Sequence, residues 1–205
     1  VQNLKVLNRL RQLGLAEEKV TEWAAWINRE GLSACEALVA DEAGCCGAIR
    51  LHLNDHDGAH DHMRRNIDAW WPLLANGQAE SIVMNASGCG VTVKEYGHAL
   101  RHDPAYADKA AQVSAATRDL SELLPELVPA LRERVRPSPG LLAFHPPCTL
   151  QHGQKLRGGV EQHLGALGFE VRVALNESHL CCGSAGTSVV PRACVTVRVS
   201  AAAAV

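Results

Sequence analysis

Aromatic side chains are scarce in these 205 residues: four Trp, two Tyr and two Phe make up 4% of the chain. So few stacking platforms argue against a surface that reads nucleic-acid bases. A surplus of charge of one sign is also lacking. Twenty Lys and Arg stand against 22 Asp and Glu, for a formal net charge of -2 with no basic block, which speaks against nucleic acid and anionic membrane surfaces as main partners. No apolar run approaches the roughly 18 residues of a membrane span. The opening Val1-Gln2-Asn3-Leu4-Lys5 runs into an amphipathic, charged segment rather than a secretory signal, and without an initial Met the chain reads as a fragment or trimmed form. There is no dinucleotide fingerprint and no convincing general base or hydride partner, so flavin chemistry is not assigned to this chain. Gly183-Ser184-Ala185-Gly186-Thr187 lacks the Lys of a phosphate loop.

Cysteine, by contrast, is well represented. Eight in 205 residues fall short of the roughly 8–10% of a disulfide-built secreted domain, and a chain of this length buries about 70% of its unfolded surface without such staples. Four of them form two adjacent pairs, each followed at once by glycine: Gly44-Cys45-Cys46-Gly47 and Leu180-Cys181-Cys182-Gly183. A bridge between neighbours forces a strained peptide. In a chain without a secretory signal the pairs therefore read as metal ligands. Buried, inert thiols are the plain alternative, although packing gives no reason for the pairing or its repetition. Thiolates favour iron–sulfur clusters, Zn or Cu(I). Gly47 and Gly183 would let the backbone take positive φ and turn its N–H groups toward sulfur.

Hydrophobic spacing predicts helices over residues 4–12 and 16–30, with Leu4, Leu7 and Leu10, then Val20, Trp23 and Ile27, on one face. A further helix is expected over 57–75, with Met63, Ile67, Trp70, Trp71 and Leu74 inward. Short strands are expected at 36–40 and 81–85. Val91 to Leu100 reads as a helix starting just beyond Cys89, whose thiolate its dipole would favour. Another helix runs from Pro104 through Leu124. Arg136-Pro137-Ser138-Pro139-Gly140 is the candidate boundary between domains 1–136 and 141–205. Beyond it come a strand at 141–145, a loop with Cys148, a helix over 151–167 ended by Gly165 and Gly168, and a strand at 171–175. This order predicts an α/β fold with small parallel sheets. Ligands in such sheets gather beyond the carboxyl ends of the strands, where Cys89, Cys148, Cys181 and Cys182 fall. The two pairs are too far apart for a solenoid repeat and suggest a duplicated unit. The 42 residues between Cys46 and Cys89, and the 32 between Cys148 and Cys181, are unlike the short Cys-x-x-Cys clips of zinc ribbons and ferredoxins. His52, His56 and His60, with His62 nearby, read as a solvated helix start rather than a metal-binding face. Lys94, Glu95 and Tyr96 fit a docking face or a plain surface helix equally well.

Several stretches then share one likeness: Gly44-Cys45-Cys46-Gly47-Ala48, Arg50 with His52-Leu53-Asn54, and Asn66-Ile67-Asp68-Ala69-Trp70-Trp71-Pro72. Ala86-Ser87-Gly88-Cys89-Gly90, Val93-Lys94-Glu95-Tyr96-Gly97 and Pro147-Cys148-Thr149-Leu150-Gln151-His152 belong with them, as do Gln154-Lys155-Leu156 and Ser178-His179-Leu180-Cys181-Cys182-Gly183. Together, over roughly residues 40–187, they resemble the cysteine-rich (CCG) region of glycolate oxidase iron–sulfur subunits. That family extends to lactate-utilisation proteins and to a subunit of heterodisulfide reductase.

The resemblance implies two similar CCG-type subdomains, the second incomplete. It implies Cys45, Cys46 and Cys89 as one ligand set and Cys148, Cys181 and Cys182 as the other, holding iron–sulfur clusters of the [4Fe-4S] type. Flavin-containing partner subunits would oxidise glycolate to glyoxylate and pass electrons through this chain, which would not be catalytic alone. Its place would be cytoplasmic, at the inner face of the membrane through the complex. Three departures stand out. The ferredoxin-like segment is missing. So is a cysteine expected about thirty residues before Cys45, since Cys35 lies only ten before it. After Thr187 the family pattern stops, as a frameshifted or misassembled end would, with Cys194 a bystander. Each half thus keeps three of the four thiolates a cluster usually takes. A Zn-holding docking module and an inert fragment are the competing readings.

Overall fold

The computed structural model describes residues 5–7, 37–137 and 139–173. Cys35, Cys181, Cys182, Gly183 and Cys194, with the expected helix over 16–30, lie outside them. The chain divides into two compact units, 1–120 and 121–205. Small parallel sheets flanked by helices form the expected α/β architecture.

In the first unit four parallel strands are ordered β2-β1-β3-β4: β1 (Lys5–Leu7), β2 (Ala37–Val39), β3 (Ser81–Met84) and β4 (Thr117–Asp119). The leucine spacing predicts a helix through residues 5–7, but they form a strand instead. Val6 lies opposite Leu38 on one side and Ile82 on the other. A short isolated helix is marginal, whereas a strand between two neighbours pairs its backbone on both edges. All four residues of β3 are buried, as an interior parallel strand requires.

Between β2 and β3 run α1 (Ala48–His52) and the long α2 (His56–Ala75). The Asp55 side chain caps α2 by accepting from the Gly58 N–H at 3.0 Å. Ala59, Met63, Ile67 and Trp70 recur at helical spacing as a stripe that is 0–1% exposed. Trp71 and Leu74, expected inward, are half-buried at its edge.

After β3 come α3 (Ser87–Lys94), α4 (Tyr96–Ala99) and α5 (Ala107–Ala116). The helix expected from Val91 begins earlier, at Ser87, and breaks at Glu95, so Cys89 sits inside its first turn. The helix expected through Leu124 stops at Ala116, and the chain re-enters the sheet as β4. Thr117 and Asp119 are buried on either side of exposed Arg118.

The second unit contains α6 (Leu124–Arg134), β5 (Leu141–Phe144), α7 (Gly159–Ala166) and β6 (Glu170–Val173). β5 and β6 pair in parallel, Leu141 opposite Glu170 and Phe144 opposite Val173. The single helix expected over 151–167 is instead a π-helical turn, Thr149–Gly153, followed by α7. Lys155 and Gly158 between them have φ of 59° and 78°, left-handed values that no α-helix accommodates. Gly168, at φ 95°, ends α7 as expected.

Candidate metal centre

Because β2 and β3 both flank β1 in parallel, their carboxyl ends meet at one sheet edge, about 10 Å apart across it. β2 leads into Gly44-Cys45-Cys46-Gly47, and β3 into the first turn of α3 with Cys89. The sheet thus delivers the vicinal pair and Cys89 to the same place.

The vicinal loop is gripped from below by two buried polar side chains. Asn66, on the inward stripe of α2, accepts from the Gly44 N–H at 2.7 Å and donates to the Cys45 carbonyl at 2.9 Å. It also donates to the Tyr96 hydroxyl at 3.0 Å, and that hydroxyl donates to the Cys46 carbonyl at 2.9 Å. Both side chains are fully buried, and Trp70 stacks on the Tyr96 ring with centroids 6.5 Å apart. Burial drives the Tyr96 phenol well above its ordinary pKa, against the Asn66 bond that lowers it. Gly47 has φ 90°, and a Cβ there would stand 3.0 Å from the Ala59 carbonyl oxygen. Only glycine fits that close approach to α2. Its N–H donates to Cys45 Sγ at 3.4 Å, the turn toward sulfur that the sequence leads one to expect.

Cys46 influences the titration of both Cys45 and Cys89. Cys46, with burial added, carries the Cys45 pKa far up. Cys46 is itself drawn down by Cys45, but Cys89 and burial push it to about 12. Cys46 holds Cys89 below its ordinary value, with burial opposing. The first helical turn of α3 favours the same anion. None of these thiols, nor Cys148, is in a disulfide.

Three residues that sequence reasoning passed over complete the surroundings. Asn66 is a polar residue within an apolar stripe, a signal that was legible. Tyr96, expected at a docking face or surface, is buried while its neighbour Glu95 is exposed. His62, expected on a solvated helix start, is half-buried one turn before Asn66. Its Nδ1 is buried with no hydrogen-bond partner.

In the second unit Cys148 follows β5 as the cap of the π-helical turn, a rare conformation that concentrates at functional sites. Gln151 Nε2 donates to the Pro146 carbonyl at 2.7 Å, and Arg157 to the Gln151 carbonyl at 3.3 Å.

Three soft sulfur donors, with the Gly47 N–H turned to Cys45, match the donor chemistry of an iron–sulfur or zinc centre. Among the described residues no three His, Cys, Asp or Glu side chains form a group that could hold a metal ion.

The sequence profile of the cysteine-rich CCG domain matches residues 29–94 and 142–202. The chain belongs to the CCG family. Its two matched stretches each hold one Cys-Cys-Gly sequence. Among relatives, the glycolate oxidase iron-sulfur subunit of Escherichia coli (strain K12) is 52% identical over 161 residues, covering 78% of this chain and 38% of the relative. The probable glycolate oxidase iron-sulfur subunit of Bacillus subtilis (strain 168) is 26% identical, covering 76% and 34%. Lactate utilization protein A of Geobacillus thermodenitrificans (strain NG80-2) is 31% identical, covering 75% and 61%. This CCG chain therefore spans under two fifths of the first two and about three fifths of the third. No helix among the described residues is long and apolar enough to cross a membrane.

Proposed function

We propose that this chain is the cluster-bearing part of an iron–sulfur subunit in a complex that oxidises glycolate or a related 2-hydroxy acid. Cys45, Cys46 and Cys89 are one ligand set, and Cys148, Cys181 and Cys182 the other, with Gly47 and Gly183 turning backbone N–H groups to sulfur. A bound [4Fe-4S] cluster would supply one-electron transfer, which no side chain here supports alone. Electrons would come from flavin-containing subunits, and the complex would stand at the inner face of the membrane. The chain would relay charge and carry out no substrate chemistry, and its two similar subdomains, 1–136 and 141–205, would each present one site.

The observation that supports this reading most is the meeting of Cys45, Cys46 and Cys89 from two separate strand ends. The chain's own contribution is then orientation. Asn66 and Tyr96 fix the peptide of the vicinal pair, Trp70 and the stripe around it keep water from its inner side, and N–H groups face the sulfurs.

Anaerobic reconstitution with ferrous iron and sulfide tests the proposal. A brown chain with cluster absorbance, lost in Cys46→Ser, is the expected result. A colourless chain that binds stoichiometric Zn would replace it with a structural docking role. Neither metal, with a shallow thermal transition, would overturn both.

A further inference from the structure

A cavity of about 690 Å³ opens between the end of β2 and one side of α2, within the roughly 300–1,000 Å³ of small-molecule sites. Asp61, Arg64, Arg65, Asp68 and Ala69 line it from the helix, at spacings that share one face. Val39, Ala40, Ala69 and Leu73 give it an apolar wall. On the helix side Arg64 and Asp68 are engaged. Arg64 donates through Nε to Asp103 and through Nη1 to Asp61, both at 2.9 Å, and the Tyr106 hydroxyl donates to Asp68 at 2.9 Å. Two charges stand apart. Among the described residues Glu42 and Arg65, both exposed, make no hydrogen bond or ion pair with each other or with any other group. Arg65 Nη1 lies 4.0 Å from where a Cβ on Gly44 would stand, which sets the cavity against the start of the vicinal loop.

Carboxylates outnumber guanidiniums around the cavity, with Asp41, Glu42, Asp61 and Asp68 against Arg64 and Arg65. A plain anion therefore meets repulsion there, and a plain cation leaves Arg65 unmatched. A molecule that carries both charges matches both unpaired groups. We propose that this cavity binds a small zwitterion with an apolar body, the chemistry of a free apolar amino acid. Its carboxylate accepts from Arg65, its ammonium donates to Glu42, and its side chain lies against Val39, Ala40, Ala69 and Leu73. Hydrogen bonds between ionised groups are the strong ones, and the apolar surface covered on binding adds to them. The site uses none of the cysteines, so it stands apart from the cluster reading.

Isothermal titration calorimetry of the full chain, with its thiols kept reduced, tests the assignment. The probes are L-leucine, glycine, isoamylamine and isocaproate. The last two are leucine without its carboxylate and leucine without its ammonium group. Wild type should bind one L-leucine per chain, and each of the other three about tenfold more weakly or worse. Arg65→Met should weaken leucine by about tenfold and bring it level with isoamylamine. Glu42→Gln should weaken it similarly and bring it level with isocaproate. Both substitutions remove an exposed charge, and the comparison of probes on the wild type needs neither variant to fold. Absence of saturable leucine binding by the wild type overturns the proposal. So does equal affinity for leucine and either singly charged probe, or leucine binding unchanged in either variant.

Discussion

Both units set a cysteine just past the carboxyl end of a parallel strand, but they hold it by opposite means. In the first, the Cys45-Cys46 carbonyls are bound by Asn66 and Tyr96, which lie 21 and 50 positions along the chain. Tyr96 belongs to a buried cluster with Met63, Ile67, Trp70 and Ile82, and Asn66 is buried on the helix beside them. In the second, the turn that Cys148 caps carries bonds that span five or six positions, Gln151 to Pro146 and Arg157 to Gln151. Neither α6 nor α7 buries a residue among those described. The first loop takes its shape from the core of its unit, and the bonds described at the second are local to it. A long-range grip should fail cooperatively with its core, and a local one should not.

The largest effect should come from Trp70→Ala, which removes the ring stacked on Tyr96 and costs about 3–5 kcal/mol. All four Trp lie at or before position 71, so fluorescence-detected urea unfolding follows the first unit and should show the drop. Asn66→Ala should cost about 2–3 kcal/mol, because it strands the Gly44 N–H and the Cys45 carbonyl in a buried place. Mass-spectrometric alkylation should then find Cys45 and Cys46 more reactive and Cys148 unchanged. Gln151→Ala, at about 1–2 kcal/mol for the buried Pro146 carbonyl, should do the reverse. Equal labelling of all three cysteines in either variant would break the comparison. Tyr96→Phe, which deletes one hydroxyl, should cost about 1–2 kcal/mol.

The titration of the metal-free thiols sharpens the same contrast. With its pKa below the ordinary thiol value, Cys89 should be alkylated at a lower pH than Cys46, whose pKa stands near 12. Raised pKa values at Cys45 and Cys46 contribute stability below the unfolded thiol pKa of about 8.5. That contribution is lost as pH climbs toward 12, so thermal melting should decline on the alkaline side. The smallest change concerns Asp55, whose carboxyl is held low by the Gly58 N–H and then by Arg50. Its contribution is present above a pH of about 4 and disappears as pH falls through the lowered value. Asp55→Asn should flatten that part of the acid melting curve.

Much of this was legible in the residues. The paired cysteines with their glycines, the strands at 36–40 and 81–85, and the inward face of α2 follow from spacing that burial enforces. What escaped has physical reasons. The leucines near residue 7 fit a helix by period, but sheet pairing decided the matter. The break after Ala116 followed a two-residue alternation too short to outweigh ten helical residues before it. Lys155 carries no sign of a left-handed backbone, so the split of the 151–167 helix was hidden. Asn66 showed as a polar residue within an apolar stripe, but its partners and those of Tyr96 lie across long sequence gaps, and local pattern is blind to those.

With the carbonyls of Cys45 and Cys46 both turned inward, the amides that follow are left to face outward at sulfur. A negative charge arriving there is met by neutral peptide dipoles. Its gain or loss is absorbed as a small lengthening or shortening of N–H···S contacts, with no salt bridge to dissolve and no side chain to relocate. Low structural rearrangement of this kind is the property a site needs if its charge is to change often and quickly.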